Sequence, residues 1–393
     1  MIIKTARREA ETCRLDDLDS DAELLGVANG VLHLKEGRLL APGELQTRGA
    51  YVTRCAGAPW DECARAPRWE QFVSEICLGD VALVSYLQEL VGSSLWGSAR
   101  RRNVIQAFGA GANGKTVFLK TIGRLFNDYE GGISKRALMA RAAAGGGENY
   151  EMAELVGKRF VWCSETDSGD TLAAAAIKQL SGGERAQVRA IYSKPTEITP
   201  RFTLWLFTNH KPRVNDTSEG FWDRLRLIPF EARFTDRDAD PRLADKLESE
   251  LNGVLVWAVE GFKRWAARGE KFEEPDRVRR ATAEYRQDSD TLGLWLADCA
   301  ALVPGNTTLR ASSASLHASF CAWCGTENVA AWSKKRLIQA LKERGAQAYQ
   351  TAKERGLVGV ALVGEEEAKA VAGAREMERT AATRAVAGLR VVP

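Results

Sequence analysis

The stretch GAGANGKT, residues 109–116, follows the apolar run VIQAF and leads into TVFLKTIGRLF, whose apolar positions fall at helical spacing. Strand, glycine loop and helix in that order restrict the fold more than any other feature of the chain. Gly109, Gly111 and Gly114 let the backbone turn tightly and leave room for phosphate oxygens. Backbone N–H groups opening the next helix, and its dipole, favour an anion at that point. Lys115 is expected to reach β- and γ-phosphates, and the Thr116 hydroxyl to take one position on Mg2+. Gly109, Gly111, Asn113, Gly114, Lys115 and Thr116 therefore read as a cradle for a nucleoside triphosphate with Mg2+.

Such a cradle needs a carboxylate to hold the metal and orient water. KRFVWCSETDSG offers one, because Phe160 to Cys163 reads as a buried strand with acids just past its end. Glu165 is the first candidate and Asp167 the reserve; a solvated acidic turn is the plain alternative. RFTLWLFTNHKP is a second apolar strand ending in polar residues. Asn209 there is placed to hydrogen-bond a γ-phosphate or the lytic water, while His210 orients backbone or solvent. An ordinary asparagine turn cap would look the same.

The short apolar runs VIQAF, RFVWC, FTLWLF and LRLIPF alternate with helical or glycine-rich segments, which predicts an α/β core over residues 96–235. Residues 1–95 read as a mixed region, with a β-hairpin in LLGVANGVLHLKEGRLL and helices from Trp69 onward. Residues 236–300 read as helical. Residues 301–363 hold two helical patterns, followed by GLVGVALVG as a two-stranded wing, which suits a winged-helix module. AAAGGG at 142–147 reads as a flexible loop, and 364–393 as a helical or frayed tail. No run of about 18 apolar residues or signal-peptide core is present, so no membrane span is expected and the protein reads as cytosolic. Cys321 and Cys324 form the one tight cysteine pair, with only His317 near, and read as thiols on a helix rather than a zinc site.

The order of glycine loop, strand-SET, KQLSGGE at 178–184, strand-TNHKP and FWDRLRLIPF at 221–230 resembles the helicase portion of phage and plasmid primase-helicases, within superfamily III of the AAA+ ATPases. The likeness takes in LLGVANGVLHL and ELNGVLVWAVEGFKRW, and so runs from about residue 24 to 300. It implies an AAA+-type P-loop ATPase that forms a ring, usually a hexamer, and moves along single-stranded or forked DNA. ATP would sit between copies, completed by an arginine from the neighbour. The family has paired arginines after a tryptophan; here Asp223 replaces the first, which makes Arg224 the first finger candidate and Arg226 the second. Arg224 could instead pair with Asp216 or Glu219. Lys178, in the motif between the two strands, is expected at the subunit interface or beside the nucleotide. The segment ERAQVRAIY, SKPT, EITPRF should form the DNA-facing hairpin, with Arg189, Tyr192 and Lys194 as the contacts. Six copies around a pore would concentrate charge that a net +3 per chain does not advertise.

About 100 residues precede the glycine loop, and they hold no carboxylate cluster for primer synthesis, so no primase activity is expected of this chain. A separate primase or polymerase would be a partner. Two alternatives stand beside the helicase: an AAA+ ATPase that loads or remodels proteins, and a degenerate origin-binding module using residues 301–363 with little turnover.

Overall fold

Alternation along short strands builds the centre of the first unit. Ile105, Ala107, Phe160, Trp205, Phe207 and Ile228 join one apolar cluster, and their neighbours Val104, Val161, Cys163, Leu204, Leu206, Leu225 and Leu227 join another. A strand presents successive side chains to opposite faces, so the runs are buried on both sides and need helices above and below. The computed structural model describes residues 18–48, 51–98, 103–139, 148–164, 170–183, 186–188, 196–216, 218–235, 240–327, 329–352 and 354–364. The AAAGGG loop and the tail from residue 365 lie outside these described residues.

The chain divides into two compact units, Met1–Arg286 and Gln287–Pro393. The first begins with an antiparallel sheet of β1 (Leu24–Val27), β2 (Gly30–His33) and β3 (Arg38–Leu39), turning where the sequence places Asn29-Gly30 and Glu36-Gly37. Helices α1 (Pro42–Arg48), α2 (Pro67–Ile76) and α3 (Val81–Ser94) follow, α3 starting at an Asp80 side chain that accepts from Leu83 N. Next come β4 (Val104–Phe108), the glycine loop and α4 (Lys115–Phe126). Then come β5 (Glu130–Gly132), α5 (Lys135–Leu138), α6 (Glu148–Glu154), β6 (Phe160–Ser164), β7 (Thr171–Leu172) and α7 (Ala174–Ser181). The pair β8 (Ala186–Val188) and β9 (Thr196–Ile198) is antiparallel. After it run β10 (Thr203–Thr208), β11 (Arg213–Val214), α8 (Glu219–Trp222) and β12 (Leu225–Pro229). Helices α9 (Leu243–Ser249), α10 (Leu251–Ala267) and α11 (Asp276–Ser289) complete this part of the chain.

The central sheet is parallel throughout, in the order β12-β4-β10-β6-β5. One face carries α4 through Phe118, Ile122, Leu125 and Phe126, and the same cluster continues through Phe72 and Ile76 of α2, Leu87 and Leu90 of α3, and Val254, Ala258 and Phe262 of α10. Trp205 sits near its middle, fully buried, with ring contacts to Phe118, Phe160 and Phe207. The other face is covered by Ile177 and Leu180 of α7, by Phe221 and Trp222 of α8, and by Tyr285 of α11. Residues read from sequence as a separate N-terminal region, a core and most of a helical lid thus share one unit.

The second unit holds α12 (Thr291–Cys299), β13 (Ala300–Leu302), β14 (Arg310–Ser312), α13 (Ser313–Thr326), α14 (Lys334–Glu343), β15 (Gln347–Gln350), β16 (Arg355–Val358) and β17 (Val360–Leu362). Its own core includes Trp295, Leu316, Phe320, Leu337, Leu341 and Leu357. A three-stranded sheet runs β14-β16-β15, and β13 pairs with β17. The expected wing is misplaced in the sequence reading. The hairpin is β15–β16, closed where Thr351 N donates to Glu354 O at 2.9 Å. Within GLVGVALVG, Gly359 takes φ +84° and redirects Val360–Leu362 to Ala300–Leu302, so that segment is two strands of different sheets. Apolar alternation identified the strands, but not the partner each would choose.

Candidate functional site

Three glycines shape the loop in different ways. A Cβ on Gly109 would lie 2.1 Å from Phe230 O, and one on Gly114 would lie 2.5 Å from Ile76 Cγ2. Gly114 also has φ +85°, a region L side chains avoid. A Cβ on Gly111 meets nothing within 4 Å among the described residues, so on their side Gly111 is open to a ligand. Ala112 is left-handed as well, at φ +54°, and its carbonyl accepts from Phe234 N at 2.8 Å. The loop is therefore held from outside, by α2 on one side and by the chain after β12 on the other.

Asn113 points inward rather than toward the open side. It is buried; Nδ2 donates to Phe230 O at 3.0 Å and Oδ1 accepts from Lys115 Nζ at 3.0 Å. Lys115 Nζ also donates to Gly109 O. Burial pushes the Lys115 ammonium down to about 8. Among the described residues no carboxylate pairs with it, so a cation stands at the helix start with only neutral acceptors. An anion fits there better than anything the loop itself supplies. Thr116 is exposed beside it.

The other candidates leave the same edge of the sheet. Phe108 of β4 is in register with Thr208 of β10, and Phe207 of β10 with Ser164 of β6. Gly109 N donates to Thr208 O at 3.2 Å. Asn209 therefore leaves β10 between the start of the glycine loop and the end of β6, exposed, with His210 exposed after it. Glu165 and Asp167 lie outside the described residues; the strand that leads to them ends at Ser164. Ligands of parallel sheets bind at this carboxyl edge.

Arg224 stands at the opposite edge. Its carbonyl accepts from Val104 N at 2.8 Å, at the start of β4, and Leu225 pairs with Val104. Its Nη1 donates to Gly220 O, and its Nε is buried with no hydrogen-bond partner among the described residues. Neither expected acid takes it: Asp216 pairs with Lys178 at 2.6 Å and Glu219 with Arg286 at 3.4 Å. Arg226 is committed within its own chain, to Asp223 O at 2.8 Å and Glu274 at 3.4 Å. Lys178 also donates to Ser218 Oγ at 2.9 Å. The antiparallel pair β8–β9 forms the base of the expected hairpin, and Arg189, Tyr192 and Lys194 lie outside the described residues.

Sequence reading missed a buried polar group behind the site. Gln106, in the middle of VIQAF, donates to Thr208 Oγ1 at 3.1 Å, and Tyr285 OH donates to Pro212 O. Lys211 Nζ lies 5.5 Å from the Phe108 ring centre and 5.8 Å from that of Tyr285. A glutamine inside an otherwise apolar strand was the signal to follow. Cys321 Sγ lies 3.5 Å from His317 Nε2, and among the described residues no group of three or more His, Cys, Asp or Glu is arranged to hold a metal. Among them, too, no single helix is long and apolar enough to cross a membrane.

Known proteins resemble the chain over these same segments. Residues 107–224 match a family described as of unknown function (DUF5906), and residues 2–78 match one described as D5 N terminal like. A protein of Acanthamoeba polyphaga mimivirus named "Putative helicase" is 24% identical over 307 residues, covering 72% of this chain and 31% of its own. A "Putative helicase" of Frog virus 3 (isolate Goorha) is 30% identical over 203 residues, covering 46% of this chain and 20% of its own. A "Putative primase" of African swine fever virus is 20% identical over 308 residues, covering 72% and 31%. The chain spans about a third or less of the length of these relatives. The C-terminal region of NrS-1, in an apo structure, aligns with a TM-score of 0.48 at 10% identity, over 89% of this chain and 100% of that one. The chain is thus a relative of proteins named as helicases and primases of large DNA viruses, which agrees with the resemblance carried by its motifs.

Proposed function

We propose that the chain is an ATP-dependent replicative DNA helicase with an AAA+-type P-loop core, which translocates on single-stranded DNA as a hexameric ring. Relatives named as helicases support the replication role. A glycine loop between β4 and α4, with Lys115 at the helix start, supports ATP as the substrate. Gly109, Gly111, Gly114 and Lys115 would hold its phosphates, and Thr116 with Glu165 or Asp167 would hold Mg2+, which when bound neutralises charge on the β- and γ-phosphate oxygens. Asn209 would touch the γ-phosphate or the water. Asn113 acts through the loop, by fixing Phe230 O and Lys115.

The observation that carries the reading is the separation of Lys115 from Arg224. They lie beyond opposite ends of β4, a strand of five residues. At about 3.3 Å per residue the gap is roughly 17 Å, beyond the reach of an arginine side chain. Arg224 therefore cannot serve its own cradle. Half-buried, and with no acidic partner among the described residues, it is available to a neighbouring copy's. Mixing tests this. Arg224→Ala added to wild type should depress ATPase and strand displacement more steeply than dilution predicts, with Lys115→Ala as the hydrolysis control. A strictly proportional decline would sink the shared site. Stimulation by forked DNA separates a helicase from a protein-remodelling ATPase.

The second unit favours an additional contact with duplex DNA. Apart from the pair β13–β17, its order of helix, strand, two helices and two strands, with the sheet running β14-β16-β15, supports reading it as a winged helix. α14 would enter the major groove. Lys335, Gln339 and Lys342 are exposed on it, while Leu337 and Leu341 are buried.

A further inference from the structure

We infer that Lys178 is a positioning residue for Arg224, fixing the turn that carries this arginine to its own chain's α7. The inference rests on the reading of Arg224 as the cation offered to a neighbouring copy.

The turn is bolted at two points. At its beginning, Lys178 Nζ holds Asp216 Oδ2 at 2.6 Å and Ser218 Oγ at 2.9 Å, and Ser218 N donates to Asp216 Oδ1 at 2.8 Å. Burial pushes the Asp216 carboxyl up, but the bonds from Lys178 and Ser218 outweigh it and hold the group below the usual carboxylate range. Asp216 therefore stays charged opposite the lysine. At its end, Trp222 is buried, its Nε1 donates to Asp216 O at 3.0 Å, and its ring meets that of Tyr285 edge-on at 5.4 Å. Between these points lies the single turn α8, and Arg224 rests its guanidinium on Gly220 O within it.

Without Lys178 the charge of Asp216 loses its partner, and the start of the turn loses its attachment to α7. Trp222 would still anchor the other end, so the turn would loosen rather than unfold. Helix α7 ends at Ser181, and Gly183 follows at φ +67°. Lys178 thus joins the arginine turn to α7.

A double-mutant cycle on the full chain tests this, reading kcat and KM for ATP with saturating single-stranded DNA. Arg224→Ala should lower kcat by about a thousandfold or more. Lys178→Met should lower it roughly ten- to a hundredfold, the scale of lost hydrogen bonds to a charged group. KM should stay within about twofold, because the cradle is untouched. The double variant should be no slower than Arg224→Ala alone, and Lys178→Arg, which can still reach Asp216, should recover most of the loss. Multiplying effects in the double variant, as a merely destabilised fold or an independent interface contact would give, would overturn the inference while leaving the shared site standing. A KM rise matching the kcat loss would place Lys178 at the nucleotide and overturn it too. If Arg224→Ala leaves kcat unchanged, the shared-site reading fails and the inference falls with it.

Discussion

The Arg159 guanidinium lies over the Tyr129 ring, 4.6 Å from its centre, and the pair ties three segments together. Arg159 donates to Leu24 O of β1 at 2.6 Å and to Leu95 O beyond α3 at 2.5 Å. The Tyr129 hydroxyl accepts from Gly26 N at 3.0 Å and donates to Arg54 O at 3.1 Å. Both side chains are buried. Replacing Arg159 with leucine leaves two buried carbonyls unpaired, so a loss of about 3 kcal/mol in unfolding free energy is expected from chemical denaturation. Tyr129→Phe, which loses only the hydroxyl bonds, should cost about 1–2 kcal/mol. A loss below about 1 kcal/mol in Arg159→Leu would mean the carbonyls find other donors.

The glycines of the loop should separate by experiment. Gly114→Ala collides with Ile76 at a left-handed position, so it should lower both melting temperature and nucleotide affinity. Gly111→Ala meets no atom of the described residues and should leave the melting temperature unchanged while weakening ATP binding. Parallel melting and calorimetric titration check the pair. Equal effects on melting would contradict the assignment of Gly111 to the ligand side.

Lys115 gives a pH signature. Its folded pKa of about 8 lies below the ordinary 10.5. In the empty protein the group is charged below about pH 8 and neutral above, and a triphosphate favours the charged form. ATP binding should therefore take up a proton above pH 8, and affinity should fall as pH rises, by at most about tenfold per unit. The unfolded chain binds the extra proton between the two values, so this group also makes stability rise from about pH 8 to 10.5. Calorimetry at pH 9 in buffers of different ionisation enthalpy should show close to one proton taken up per site, absent in Lys115→Ala.

Helix α14 makes a charge prediction. Lys335→Glu and Lys342→Glu, introduced in a Lys115→Ala background to remove turnover, should weaken binding to short duplex DNA. For every phosphate no longer neutralised, the slope of log affinity against log salt should become shallower by about 0.9. Unchanged duplex binding with both reversals would remove α14 as the element that meets DNA.

How much of this was legible from sequence depends on range. The glycine loop, the four apolar strands and Asn209 at a strand end were legible because each signal is local: periodicity, a turn, a breaker. What Arg224 can reach was not, because it follows from β12 lying parallel beside β4, a pairing between residues more than 100 apart. Asp216 was read as a possible partner for Arg224 from proximity in sequence, whereas the fold gives it Lys178, 38 residues earlier. The wing was misplaced for the same reason: Gly359 announces a change of direction, not a destination.

Phe72 and Ile76 press against Gly114, at the end of the glycine loop. The segment ahead of the parallel sheet is thus the floor on which that loop stands, and not a detachable leader to it. A shuffled or truncated descendant keeping only residues 96–235 would inherit the motif without its support. Recombination that preserves this support should break the chain near Arg286 instead, where one compact unit gives way to the next.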